Sequence, residues 1–258
     1  MTSSDDILSL APPKADARVA YGRDANQFVD LRMPKTKGPH PLAICIHGGF
    51  WRAKYDLGYF GHLCAALTAK GIATANVEYR RVGNAGGGWP GTFADIRAAY
   101  QYLTQKSSQY DFDVHRVIAL GHSAGGQLAL CLASHEMGVK AVVSLAGVVD
   151  LMRAYELHLS NDAVVEFLGG TPKEVADHYR EADPLKLAIR TRQEVVHGTA
   201  DDVVPPTISK DYVSEKVKSK EDAKFVSVDG AGHFEIVDPR SRFWVEVERV
   251  VMDCVSKA

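Results

Sequence analysis

Cysteine is scarce: four thiols, Cys45, Cys64, Cys131 and Cys254, stand far apart in 258 residues and none forms a CxxC pair. That spacing excludes the disulfide framework of a small secreted domain and a cysteine zinc site. Cys45 and Cys131 lie in apolar runs, where cysteine behaves as a small buried hydrophobe. Neither sign of charge dominates, since 30 Lys and Arg face 32 Asp and Glu for a net charge of -2. Nothing therefore marks a nucleic-acid partner or an acidic membrane surface. No apolar run approaches the ~20 residues of a membrane span. The first ten residues carry Asp5 and Asp6 and lack the basic start and apolar core of a secretion signal. No HExxH or clustered His/Cys spacing exists to hold a metal. Gly86-Gly87-Gly88 lacks the Lys-Ser/Thr of a P-loop and the spaced glycines of a dinucleotide fingerprint, so no cofactor is implied. Those absences predict a reduced, cytoplasmic protein. With no repeat, low-complexity tract or linker, residues 1–258 read as a single domain, of a size that buries about three quarters of its unfolded surface.

What is present is an alternation of short apolar runs with helical segments. Arg18–Gly22 and Gln27–Met33 read as two leading strands. Pro41–His47, Ile72–Tyr79, His115–Gly121, Lys140–Ala146, Gln193–Val196 and Lys224–Val228 follow as further strands. Helices are expected over Gly58–Lys70, from Trp89-Pro90 to about Lys106, from Ala124, over Pro206–Lys218 and over Pro239–Val255. Strands apolar throughout belong to a parallel sheet buried on both faces. Strand–helix alternation places helices on both sides of it, with the loops that follow the strands gathered along one edge. The stretch 150–187 is irregular, with helical pieces at Asn161–Leu168 and Pro172–Tyr179. It is expected to be an excursion or small lid over that edge. The glycine run at 86–88 is expected to be a flexible loop at the site entrance.

Gly121-His122-Ser123-Ala124-Gly125 falls where a buried strand runs into an amphipathic helix. A serine at such a turn has strained backbone angles, and glycines two before and two after relieve the crowding. Its hydroxyl is presented above the sheet edge, while the helix from Ala124 directs its first N–H groups and positive dipole end towards an oxyanion. Alone, GxSxG is a glycine-rich helix start with an exposed serine; the strand before and helix after it make Ser123 a nucleophile.

The strand Pro41–Ile46 ends in His47-Gly48-Gly49-Phe50-Trp51. Consecutive glycines after a buried strand let backbone N–H groups approach a ligand closely, and Gly49, Phe50 and Ala124 are the expected oxyanion donors. For His47, a hydrogen bond that orients the loop is expected rather than metal binding or catalysis.

An acid and a base should follow the serine in chain order. Asp201 and Asp202 stand in the loop after strand Gln193–Val196, and His233 in the loop after Lys224–Val228. A carboxylate there holds the imidazole in the tautomer that accepts the serine proton. Local pattern does not separate the two aspartates. Asp150, at another strand end, suits a helix cap for the segment from Leu151. His197 reads as a structural residue before Gly198, and His122 as pointing away across the elbow.

Taken together, His47-Gly-Gly-Phe-Trp51, Gly121-His-Ser-Ala-Gly125, His197-Gly-Thr-Ala-Asp-Asp-Val-Val-Pro205 and Gly232-His233 resemble the esterase/lipase branch of the α/β-hydrolases. That branch includes hormone-sensitive-lipase-like carboxylesterases and the arylformamidases, or kynurenine formamidases, with their HGGxW segment. The resemblance spans Pro41 to the C-terminus and implies the α/β-hydrolase fold, a mostly parallel sheet with helices on both faces. It also implies that Asp201, the first aspartate of the HGxxDxxVP pattern, is the acid. Phe50 stands where lipase-like relatives have a third glycine, and no large helical cap precedes Pro41; both departures argue against a long-chain lipase.

Phe50, Trp51 and Trp89, with His122, are expected to line a substrate pocket, although large aromatics also pack under loops. The leading function is a carboxylesterase acting on short-acyl esters. An aryl formamide hydrolase is the alternative, because the same three residues attack a formyl amide. A peptidase and a non-catalytic ligand-binding module rank below them. The expected partner is a small-molecule ester or amide, with no nucleic acid and no membrane, and a homo-oligomer stays open.

Overall fold

A computed structural model describes residues 6–257. Among the described residues, eight strands form one sheet: β1 (Ala17–Ala20), β2 (Phe28–Arg32), β3 (His40–Ile46), β4 (Ala73–Val77), β5 (Phe112–His122), β6 (Val139–Leu145), β7 (Arg192–Gly198) and β8 (Ala223–Val228). Their order is β1-β2-β4-β3-β5-β6-β7-β8. The β1–β2 and β2–β4 pairs are antiparallel and every later pair is parallel. The helices are α1 (Gly61–Ala69), α2 (Gly91–Gln105), α3 (Ser107–Tyr110), α4 (Ala124–His135), α5 (Leu151–Glu156), α6 (Ala163–Leu168), α7 (Ala176–Ala182), α8 (Pro206–Lys218) and α9 (Trp244–Ser256).

Alternation along each central strand feeds two apolar cores. Leu42, Ile44 and Ile46 of β3 pack on the face covered by α2, α4 and α8, whereas Ala43 and Cys45 pack towards α1 and α9. Because both faces are covered, all seven residues of β3 are buried, which is why the run reads as uniformly apolar. Parallel pairing brings the C-terminal ends of β3, β5, β7 and β8 to one edge, and the chemistry-bearing loops leave from that edge.

Some boundaries differ from those the sequence suggests. Pro90 occupies the cap position before α2 instead of its first turn. The last helix starts at Trp244, because Asp238 turns the chain first: its side chain accepts from Arg240 N–H and its carbonyl from Ser241 N–H. The residue before a proline is biased away from the helical region, and Asp238 is extended at φ -94°, ψ 110°. Asp150 caps α5, accepting from Arg153 N–H at 2.8 Å. The 86–88 stretch is held in place and does not border the cavity around Ser123. Gly88 N–H donates to Thr92 Oγ1, Trp89 N–H donates to the Phe167 carbonyl, and Gly87 lies too close to the Arg81 backbone for any side chain.

Candidate active site

The last residues of β5 deliver Ser123 into a backbone conformation few residues adopt, φ 55° and ψ -122°. Strain of this kind persists only where the surroundings impose it. Here Ser123 N–H donates to the Leu145 carbonyl at 2.9 Å, and its own carbonyl accepts from Gly126 N–H at 2.9 Å and Val148 N–H at 3.2 Å. A Cβ on Gly121 would stand 2.0 Å from the Gly125 carbonyl oxygen, and one on Gly125 2.1 Å from that of Ile46. No side chain fits at either place. That close approach is the steric reason for the glycine spacing around the serine.

The loop after β3 runs beside the serine with three consecutive residues at positive φ, Gly49 at 109°, Phe50 at 48° and Trp51 at 56°. Among the described residues, nothing accepts from the N–H of Gly49, Phe50 or Ala124. His47 braces the loop from beneath. Its Nε2 donates to Glu78 Oε1 at 3.1 Å, its Nδ1 lies 2.8 Å from the Gly48 carbonyl, and its ring stacks on Tyr79 at 4.5 Å. Burial pushes the Glu78 carboxyl up, but His47 and Arg81 beside it bring the group below its ordinary range.

His233 Nδ1 donates to Asp201 Oδ2 at 2.7 Å, and its Nε2 has no protein partner among the described residues. Asp201 also accepts from His197 Nε2 at 3.0 Å and from the N–H groups of Val203 and Val204, both at 2.9 Å on Oδ1. Burial alone would raise its pKa; the donors on His197 and His233 outweigh it and hold the carboxyl well below the usual range. Asp202 is exposed and makes none of these bonds.

His122 does not simply point away. Its Nε2 lies 3.0 Å from the His233 carbonyl, which only accepts, so Nε2 carries the proton. Nδ1 then accepts from the Tyr59 hydroxyl at 2.8 Å, and Tyr59 Oη in turn accepts from Gly48 N–H at 2.8 Å. Burial, with the neighbouring His233, lowers the His122 pKa well below its ordinary value and keeps the ring neutral. One hydrogen-bonded line thus ties the β3 loop, the serine turn and the loop that carries His233.

Ser123, His233 and His122 border a cavity of about 190 Å³. Gly49, Phe50, Tyr55, Tyr59, Val203, Phe234 and Leu8 complete its lining. Two expected pocket residues are elsewhere. Trp51 is fully buried, stacked on Phe167 at 4.5 Å with its indole N–H donating to Gln127 Oε1 at 3.0 Å. Trp89 stacks on Phe93 at 5.4 Å. Both were expected in the pocket because they flank the glycine loops; the apolar contact with α6 and α2 instead turns their rings into the core. Nor does 150–187 cover the cavity, since none of its residues lines it. That stretch packs beside the β3 loop, through Phe167 on Trp51 and through Arg52, whose guanidinium donates to Glu166 at 2.7 and 2.9 Å and to Ser160 Oγ at 3.0 Å.

Sequence reasoning missed the parts played by Tyr59 and Gln127 and the position of Leu8, and read His197 as structural without seeing that it braces Asp201. Gln127 had a signal, a lone amide in the apolar run of α4. His197, four residues before Asp201 at the end of β7, had a weaker one.

The BD-FAE family model matches residues 29–216. Versiconal hemiacetal acetate esterase of Dothistroma septosporum is 26% identical over 200 residues, covering 70% of this chain and 60% of the relative. The chain spans about half to three fifths of the length of the first curated relatives it matches. Among solved structures, a truncated carbohydrate esterase from gut microbiota aligns with TM-score 0.82 at 22% identity, over 96% of this chain and all of the other. A propionate-bound esterase from Thermogutta terrifontis aligns at TM-score 0.75 and 21% identity, over 95% of this chain and 94% of the other.

Proposed function

The chain belongs to the BD-FAE family of α/β-hydrolase-fold esterases, and on that premise we propose that it hydrolyses short-acyl carboxylic esters through an acyl-enzyme on Ser123. His233 Nε2 takes the hydroxyl proton as Ser123 Oγ bonds to the carbonyl carbon, and Asp201 stabilises the imidazolium that forms. The N–H groups of Gly49, Phe50 and Ala124 receive the oxyanion. The intermediate collapses, the C–O bond to the alcohol breaks, and His233 returns its proton to the leaving oxygen. Water, deprotonated by the same imidazole, then attacks the acyl-enzyme; the acid leaves and Ser123 regains its proton.

What carries the reading is the line from Asp201 Oδ2 to His233, whose Nε2 has no protein partner among the described residues and which lines the cavity that strained Ser123 also lines. The cavity supports the short-acyl part: 190 Å³ has room for roughly six water-sized groups at ~30 Å³ apiece. An acetate esterase among the relatives and a propionate-bound structural neighbour agree in scale. Four buried, unpaired cysteines suit a reducing compartment.

Ser123→Ala tests the reading. Hydrolysis of p-nitrophenyl acetate should fall by about 10⁴-fold or more, and fluorophosphonate labelling should vanish, with the melting curve retained. Hydrolysis persisting in the purified variant would overturn it.

A further inference from the structure

Apart from His122, the last residue of β5, and Leu8, the described residues that border the cavity come from loops after strands. Leu8 belongs to a single 3-10 turn, Asp6–Ser9, more than forty residues before Gly49 in the chain. Successive residues of such a turn point about 120° apart, and here they divide their work. Ile7 is fully buried, in the core cluster that holds Phe60, Leu63 and Cys64 of the α1 side. Leu8 is 41% exposed and lines the cavity that holds Ser123. The turn closes through Ser9 Oγ donating to the Asp6 carbonyl at 2.8 Å and Leu10 N–H to that of Ile7 at 3.4 Å. Farther along, Arg32 donates to the Pro13 carbonyl, and Asp16 N–H donates to that of Leu31 at 2.9 Å. The segment is therefore fastened on both sides of Ala11 and Pro12.

We infer that this turn is a specificity element: Leu8, held by Ile7, supplies apolar wall to the cavity that Phe50 and Tyr55 also line, against which the substrate's hydrocarbon group packs. The inference rests on the esterase reading and adds its selectivity. An exposed leucine in a cavity that Phe234 and Val203 also line costs hydration of apolar surface, and a hydrocarbon group seated there would remove it. The stretch 150–187, the place where a lid was expected, lines no part of this cavity, so selectivity on this side falls to the turn. An acetyl group is too short to use the whole wall, whereas a butyryl or pentanoyl group reaches it.

The test is the ratio of kcat/KM for butyryl over acetyl p-nitrophenyl esters in the whole chain. A fully buried methylene is worth about fourfold. Leu8→Ala removes three carbons from a half-exposed wall, so the ratio should fall by about fivefold, and Leu8→Asp should lower it further. Met137→Ala, at a position 72% exposed and outside the cavity, should leave the ratio where it is. Fixing the acetyl group and varying the alcohol tells whether acyl or leaving group meets the wall. Either dependence supports the inference. A wild type active on esters whose ratios are unmoved by both Leu8 variants overturns it alone. A wild type that hydrolyses none of the esters and takes no fluorophosphonate overturns it together with the esterase reading.

Discussion

Asp201→Asn probes the site at its most constrained atoms. Oδ1 of Asp201 accepts two backbone N–H groups, those of Val203 and Val204, at 2.9 Å each. An asparagine must leave its carbonyl oxygen there, since an NH₂ group would face two donors. The NH₂ then takes the place of Oδ2, 2.7 Å from His233 Nδ1 and 3.0 Å from His197 Nε2. His233 can meet a donor only with an unprotonated Nδ1. Its proton moves to Nε2, and the lone pair that should accept the Ser123 proton is lost. Such a tautomer change costs up to about 10⁴-fold in kcat, or about 5 kcal/mol of barrier. His197 keeps the Val204 carbonyl at 2.9 Å as an acceptor, so the fold should survive with a loss of roughly 1–3 kcal/mol. Steady-state hydrolysis of p-nitrophenyl acetate, with a circular-dichroism melt on the same sample, reads both quantities. We expect kcat to collapse with KM little changed, and Asp202→Asn, on an exposed side chain, to stay within about threefold of wild type. A folded Asp201→Asn protein within tenfold of wild type, or a larger loss in Asp202→Asn, would refute the reasoning.

Two further perturbations test the supports of the site. Tyr59→Phe leaves Gly48 N–H without its acceptor and His122 Nδ1 without its donor; a loss of roughly 1–3 kcal/mol should lower the melting temperature by several degrees, with kcat falling more than KM, and an unchanged melt would count against the network. Asp183 is buried near Asp150 with one oxygen unpartnered, and burial pushes its carboxyl up to about 7. The folded state therefore keeps a proton that the unfolded chain releases above pH 4, so stability falls as pH rises from about 4 to 7 and the penalty is fully present above that. Asp183→Asn should remove this slope and melt higher than wild type at pH 8, by an amount that reflects up to ~4 kcal/mol; parallel wild-type and variant melting temperatures from pH 5 to 8 would reject it.

By itself the sequence determined the sheet, the serine turn and the loops that carry the acid and the base. The reason is local: strands covered on both faces must be apolar throughout, the serine turn must have glycines where no Cβ fits, and parallel strands send their following loops to one edge. It also determined the cap on α5, because Asp150 needs only its neighbours three residues on. Local pattern left Asp201 and Asp202 open and only the family resemblance pointed to Asp201; the tertiary structure gives the physical reason. Asp201 and Asp202 are adjacent and chemically alike, and only the fold of the 201–204 turn, with His197 beneath it, selects one and exposes the other. The tryptophans went the same way: Trp51 leaves a loop that borders the cavity, yet Phe167 and Gln127, more than seventy residues on, draw its ring into the core. Leu8 is the converse, a residue with no pattern around it that points to a site, whose place at the cavity depends on Ile7 packing beside α1. Periodicity and spacing report what a residue's neighbours in sequence require, whereas the direction a side chain takes at a loop depends on contacts that only the closed fold brings within reach.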